Sequence, residues 1–376
     1  MNRTTAKGLG LSAVSFALSL TAIVAGSKLY ANWLGIRDSV FRYENQLNMW
    51  HSEPTIGFIN KPNFLGFSFG NIRVQTNEHG FRGTRPSPVA RTNGVRRIVG
   101  LGDSVMWGTG VNEENSILGF LEKQLNHQSS YEVINAGVVG YSTYQELLYL
   151  QKHVLPLRPD IVLVNYCEND LLPTEDPFKN IRGIYVQYLN QLLESHDLTL
   201  APEEKSDIEQ LIRVFESAER VWDAVKELRA KSPNQFSLAW KVFVLIPMAR
   251  MAELSREAGV RLIYVFIPPQ RNQSLYVRNV EPLKKLLAKT GTEFVDVHSA
   301  LIPEENELIK RGHSQLAWVW PRELKEILGF RNIQMFHRRY KFIDSVHPTE
   351  KGNAIIAEHI YRYLTETSDA KERAGA

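Results

Sequence analysis

The chain has 376 residues, 43% hydrophobic and 23% charged, with a formal net charge of +3. That composition is ordinary for a folded protein of one large domain or two smaller ones, and without a basic patch it speaks against nucleic acid as the main partner. A single cysteine, Cys167, excludes an internal disulfide framework and a cysteine-rich zinc site.

Taken in chain order, residues 8–27 come first. They carry no charge and follow Arg3 and Lys7. The stretch is long enough for a bilayer-spanning helix, and the preceding cations favour a cytoplasmic N-terminus, partly offset by Lys28 and Arg37. Residues 1–27 are therefore expected to be a signal anchor, or a signal peptide cut near Val24-Ala25-Gly26. Either reading exports the rest of the chain. Residues 28–94 read as a connector with short strands at Ile56–Ile59 and Ile72–Gln75. Pro54, Pro62, Gly66, Gly70, Gly80 and Gly83 punctuate it, and Pro86, Pro88 and Gly94 close it.

From residue 95 apolar runs alternate with helical patterns. The runs are Ile98–Leu101, Tyr131–Asn135, Ile161–Tyr166, Leu262–Ile267 and Phe294–Val297. Ile117, Leu118, Leu121 and Leu125 recur at helical spacing. So do Leu147, Leu148, Leu150 and Val154, behind a capping box of Ser142 and Gln145. The last helix is expected from about Thr349 to Leu364, with Ile356, Ile360 and Leu364 on one face. Alternation of this kind predicts an α/β fold with a parallel sheet covered on both sides, over residues 95–366, with a flexible tail at 367–376. Residues 171–258 are too long for one crossover and read as a helical insert. There Ser206 and Glu209 predict a second helix start, followed by a seam of Ile208, Leu211, Phe215, Ala218, Trp222 and Val225 that reads as an amphipathic helix packed on the sheet.

Four separated pieces carry chemistry: Gly102-Asp103-Ser104, Asn135-Ala136-Gly137, Glu168-Asn169-Asp170 and Asp344-Ser345-Val346-His347. The first three end or directly follow predicted strands, so a parallel sheet would set them side by side. A serine hydrolase needs a nucleophile, a base, an orienter for the base, and donors for the oxyanion. Ser104 would attack, His347 would take its proton, and Asp344 would hold the imidazole. The N–H groups of Ser104 and Gly137 and the side-chain amide of Asn169 would bind the oxyanion. Asp103 and Asp170 read as side chains that fix the loops.

This set, in this order, resembles the SGNH (GDSL-type) hydrolase family, whose four letters correspond here to Ser104, Gly137, Asn169 and His347. The resemblance covers roughly residues 95–366. It implies a flavodoxin-like three-layer α/β/α sandwich around a central parallel sheet, and cleavage of esters. Val105 stands where the family usually has leucine, and Cys167 where its third block usually has glycine. The string Asn77-Glu78-His79-Gly80-Phe81-Arg82-Gly83 is similar to one ahead of the hydrolase domain in some membrane-anchored bacterial members.

Each piece alone has a plainer reading. A lone Gly-Asp-Ser is more often a turn, and Asn169-Asp170 alone would be a turn after a strand. Gly100-Leu101-Gly102 starts like a dinucleotide fingerprint but lacks the third glycine. No Gly-x-Ser-x-Gly elbow occurs, and no histidines pair at i, i+4 as a helix-borne zinc site would need. No cofactor or metal is expected. Six aromatics between Trp318 and Phe342 read as the lining of a long loop. The reading reached is an exported, membrane-anchored serine esterase acting on an ester-bearing glycan or lipid of the cell envelope. The alternatives are a carbohydrate O-acetyltransferase using the same acyl-serine, or a non-catalytic glycan-binding or scaffold protein.

Overall fold

A strand that is apolar on both faces is stable only in the middle of a sheet covered on both sides. Strands of this kind form the middle of a five-stranded sheet in the computed structural model, which describes residues 48–68, 72–86, 93–127, 130–171, 177–195, 201–217, 238–269, 273–302 and 346–375. Ahead of them stand two hairpins, β1 (Trp50–Glu53) with β2 (Gly57–Asn60), and β3 (Leu65–Ser68) with β4 (Ile72–Gln75). The central strands are β5 (Arg96–Gly102), β6 (Tyr131–Gly137), β7 (Ile161–Tyr166), β8 (Arg261–Phe266) and β9 (Glu293–Asp296). They run parallel in the order β6-β5-β7-β8-β9. Because β6 and β7 flank β5 on opposite sides, the strand order reverses at β5. The carboxyl edge at such a reversal is the place where open α/β sheets bind ligands.

Side chains along each strand divide between two cores. Ile98, Leu163, Ile263 and Val265 face one, together with Ile117, Leu121, Ile356 and Ile360. The last four lie on α2 (Ile117–Leu125) and α8 (Glu350–Gly375). Val99, Leu101, Val162, Val164 and Tyr264 face the other, beside Leu147 and Met251 of α3 (Thr143–Tyr149) and α6 (Ile246–Glu257). These layers are the three expected from the alternating pattern. Ser142 and Gln145 form the predicted capping box at the start of α3.

One expected helix start needs revision. The helix predicted to begin at Ser206 is α5 (Pro202–Ser217). Pro202 suits a first helical position, where no N–H is required, and Ala201 N donates to Glu204 Oε2 at 3.1 Å, so the start falls upstream and Ser206 lies inside the helix. Ile208, Leu211 and Phe215 are buried as the seam requires. Phe215 packs on Tyr185 of α4 (Ile181–Glu194) and on Phe243, with centroids 6.1 and 5.6 Å apart. The rest of that seam, Ala218, Trp222 and Val225, lies outside the described residues.

The segment before the sheet is built into the domain. Trp50, Phe58 and Tyr141 form a run of ring contacts at 4.8 and 5.4 Å, and Tyr141 Oη donates to Phe58 O at 2.5 Å. Gln145 Nε2 donates to Ile56 O at 2.8 Å. Among the described residues no helix is long and apolar enough to cross a membrane. Residues 8–27, where the sequence predicts a span, lie outside them, as does the aromatic stretch from Trp318 to Phe342.

Candidate active site

The turn after β5 becomes a single helical turn, α1 (Ser104–Trp107), because Asp103 caps it: its Oδ1 accepts the Val105 N–H at 2.9 Å. Capping leaves Ser104 at the first helical position, where the N–H has no intrahelical acceptor and no partner among the described residues. Ser104 lies at the carboxyl edge of β5, 7% exposed. His347 approaches from the loop before α8, and its Nε2 lies 2.8 Å from Ser104 Oγ. Two residues distant by 243 positions are thus brought into hydrogen-bond contact. That is the geometry in which an imidazole can take a hydroxyl proton.

The loop carrying His347 is anchored behind the histidine. Thr349 Oγ1 accepts the Gly352 N–H at 3.3 Å. Asn353 Nδ2 donates to Asn115 O at 3.0 Å, and Asn115 Nδ2 donates to Glu350 Oε1 at 2.9 Å. Asn115 closes the short turn Glu113–Asn115, a few residues after α1. The same stretch of chain therefore touches the serine's helix at one end and the histidine's loop at the other.

Asp103 and Asp170 hold the loops together, as read from the sequence. Asn165, at the end of β7, donates through Nδ2 to Asp103 Oδ1 at 3.0 Å. Asp170 Oδ2 accepts the Cys167 N–H at 2.6 Å, closing the turn Glu168–Leu171 that carries Asn169. Asp344 lies outside the described residues, and so does the side chain of Asn169. Cys167 is buried in the core, where burial raises its thiol pKa well above the ordinary value.

Gly137 serves a purpose other than the one expected. Its N–H donates to Asn135 Oδ1 at 3.0 Å, so that hydrogen is engaged within the loop. A Cβ at 137 would lie 2.5 Å from Trp107 N, which makes glycine a requirement of packing β6 against α1. Later in the same loop the N–H groups of Val139 and Gly140 have no partner among the described residues, and Gly140 holds φ +87°. Asn135, quoted in the sequence only as part of its tripeptide, also donates through Nδ2 to Met106 O at 3.0 Å and Trp107 O at 3.3 Å. Asn165 carried a visible signal: it is a polar residue in an otherwise apolar buried strand.

Beneath the site lies a cluster the sequence did not reveal. Asp103, Glu146 and Asp170 are all essentially buried. Burial, then the neighbouring Asp103, pushes the Glu146 carboxyl well above the ordinary carboxylate range. Burial, then Asp103 and Glu146, does the same to Asp170. An acid with a raised folded-state pKa keeps its proton where the unfolded chain would release it. The associated stability is complete below the unfolded pKa and is lost as pH rises toward the folded one. Glu146→Gln, which mimics the protonated form, is expected to melt close to wild type at about pH 5 and above it at about pH 9. Thermal melts at the two pH values test this, and equal pH dependence in the two proteins refutes it.

The sequence matches the model of the GDSL-like Lipase/Acylhydrolase family over residues 101–355. No curated protein matches the chain. Solved structures similar to it include a GDSL-like lipase from Bacteroides thetaiotaomicron, 14% identical over 72% of this chain and 89% of that one, TM-score 0.37. Another is a mutant acetyl-xylooligosaccharide esterase from Geobacillus stearmophilus, 12% identical over 71% and 93%, TM-score 0.40. A third is a psychrotrophic esterase from Pseudoalteromonas sp., 12% identical over 73% and 99%, TM-score 0.39. With the family model covering the nucleophile turn after β5, the loops after β6 and β7 and the histidine that meets Ser104, the chain belongs to the GDSL-like lipase/acylhydrolase family and is an ester-hydrolysing enzyme.

Proposed function

We propose that this enzyme cleaves its ester through an acyl-enzyme on Ser104, with His347 as general base and Asp344 as the residue that orients the imidazole. Ser104 Oγ attacks the ester carbonyl while its proton passes to His347 Nε2. The tetrahedral intermediate collapses, and the leaving alkoxide takes that proton. Water then attacks the acyl-serine with His347 again as base, releasing the acid and the free serine. The oxyanion is met by the Ser104 N–H and the Asn169 side-chain amide, with the open N–H groups of the Val139–Gly140 loop on the β6 side. The observation that carries the reading is the 2.8 Å contact of Ser104 Oγ with His347 Nε2.

The substrate is an acyl or O-acetyl ester on a glycan or lipid of the cell envelope. What supports that part is the uncharged stretch 8–27 behind Arg3 and Lys7, which as a membrane anchor would hold the domain outside the cytoplasm. Treatment with a fluorophosphonate followed by peptide mapping is expected to find one adduct, on Ser104. An adduct on any other serine refutes the assignment. Acetate or fatty-acid release from a panel of O-acetylated glycans and acyl lipids then identifies the ester. A C-terminal reporter that is active only in the cytoplasm, if it is active on this chain, refutes the location.

A further inference from the structure

We propose that Arg82, carried by the segment ahead of the hydrolase domain, is a positioning residue that locks the chain between the nucleophile and the base. Its side chain is buried at 5% exposure. Nη1 donates to Trp107 O and, at 2.7 Å, to Gly108 O, and Nη2 donates to Val111 O at 2.6 Å. The guanidinium also lies over the Trp107 ring, 5.2 Å from its centroid. A planar guanidinium can satisfy several carbonyls at fixed angles, which an ammonium cannot.

Those carbonyls belong to the loop that holds Ser104. The N–H groups of Gly108 and Thr109 donate to Ser104 O at 3.1 and 3.0 Å. Four residues beyond Val111, Asn115 makes the contacts that anchor the His347 loop. One buried cation therefore fixes the middle of a strap whose ends determine where Oγ and Nε2 meet. Burial lowers the Arg82 pKa to about 10, with Glu113 and Glu114 as the opposing charges, so the group is still a cation at neutral pH.

The motif Asn77–Gly83 is shaped to deliver this side chain. Asn77 Oδ1 accepts the N–H groups of His79 and Phe81 at 3.0 and 3.1 Å, and Asn77 N donates to Phe81 O at 2.9 Å. Gly80 turns at φ +81°, where a Cβ would meet Asn60 O at 2.5 Å. The next residues then rejoin the domain: Arg82 N donates to Asn135 O at 2.9 Å. The same Asn135 holds Met106 O and Trp107 O, so backbone and side chain of Arg82 grip the nucleophile turn from two directions.

The proposal rests on Ser104 being the nucleophile, and its test separates the two claims. In the full-length protein, the rate constant and the final extent of fluorophosphonate labelling are measured for Arg82→Ala, Arg82→Lys and Glu53→Ala. Glu53 caps the β1–β2 turn through Thr55 N and Ile56 N at 2.8 and 2.7 Å. Its loss weakens the N-terminal segment without touching the strap. Unfolding lowers the extent of labelling, whereas mispositioning lowers its rate. Both Arg82 variants are expected to lose about 100-fold in labelling rate and in kcat, with KM changed only a few-fold, while Glu53→Ala labels at the wild-type rate. Wild-type rates with reduced extent in the Arg82 variants would show a purely structural role and overturn the proposal. Labelling that persists in Ser104→Ala would instead refute the nucleophile, and the positioning role would fall with it.

Discussion

Replacing His347 by alanine is expected to lower kcat by about 10⁴–10⁶-fold, because the serine hydroxyl then loses its imidazole base. The contact at stake is that of His347 Nε2 with Ser104 Oγ at 2.8 Å, and that makes the prediction sharp. His347 is half-buried, at the entry to α8, and its loop is held by Asn353, Glu350 and Thr349. Removing the imidazole leaves those anchors in place, so folding should be little affected. The loss should therefore fall on kcat with KM nearly unchanged, the pattern of an interaction that matters in the transition state. In the wild type the pH–rate profile should show one essential group that must be neutral. A His347→Ala enzyme within tenfold of wild type would remove the base from the proposed mechanism.

The sheet was legible because burial on both faces demands continuous apolar runs, and Ile98–Leu101 or Ile161–Tyr166 have no other stable home. The nucleophile turn was legible for a local reason too: Asp103 caps the helix that begins at Ser104, so the tripeptide carries its own geometry. Ser142 with Gln145 is a capping box contained within four residues. What escaped the sequence depends on partners far along the chain. Strand β1 lacks a strong pattern and is held by pairing with β2, where Trp50 packs on Phe58 and Phe58 on Tyr141. Arg82 was quoted only as part of its motif, since nothing local says that three carbonyls 25–29 residues away will surround it. Gly137 was assigned a donor's part from its residue type. Its neighbour Asn135 competes for that hydrogen, and the steric need for glycine comes from Trp107 across the interface. Ser206 misled because Pro202 supplies an earlier and stronger helix start.

Two acids compete in the sequence for the place behind the histidine, and they separate by experiment. Asp344→Asn is expected to lower kcat by about 10⁴-fold, since an amide in place of the carboxylate leaves the imidazole in the wrong tautomer and no longer stabilises the imidazolium. Asp170→Asn is expected to keep most activity. The Asp170 carboxyl is fully buried, its Oδ2 is engaged by the Cys167 N–H at 2.6 Å, and burial with Asp103 and Glu146 nearby raises its pKa well above the ordinary value. A neutral side chain already suits that site, and an asparagine oxygen can still accept from Cys167. Its effect should appear as altered stability of the turn that carries Asn169. If Asp344→Asn is near wild type while Asp170→Asn is inactive, the orienting acid is Asp170 and the loop before α8 supplies the histidine alone.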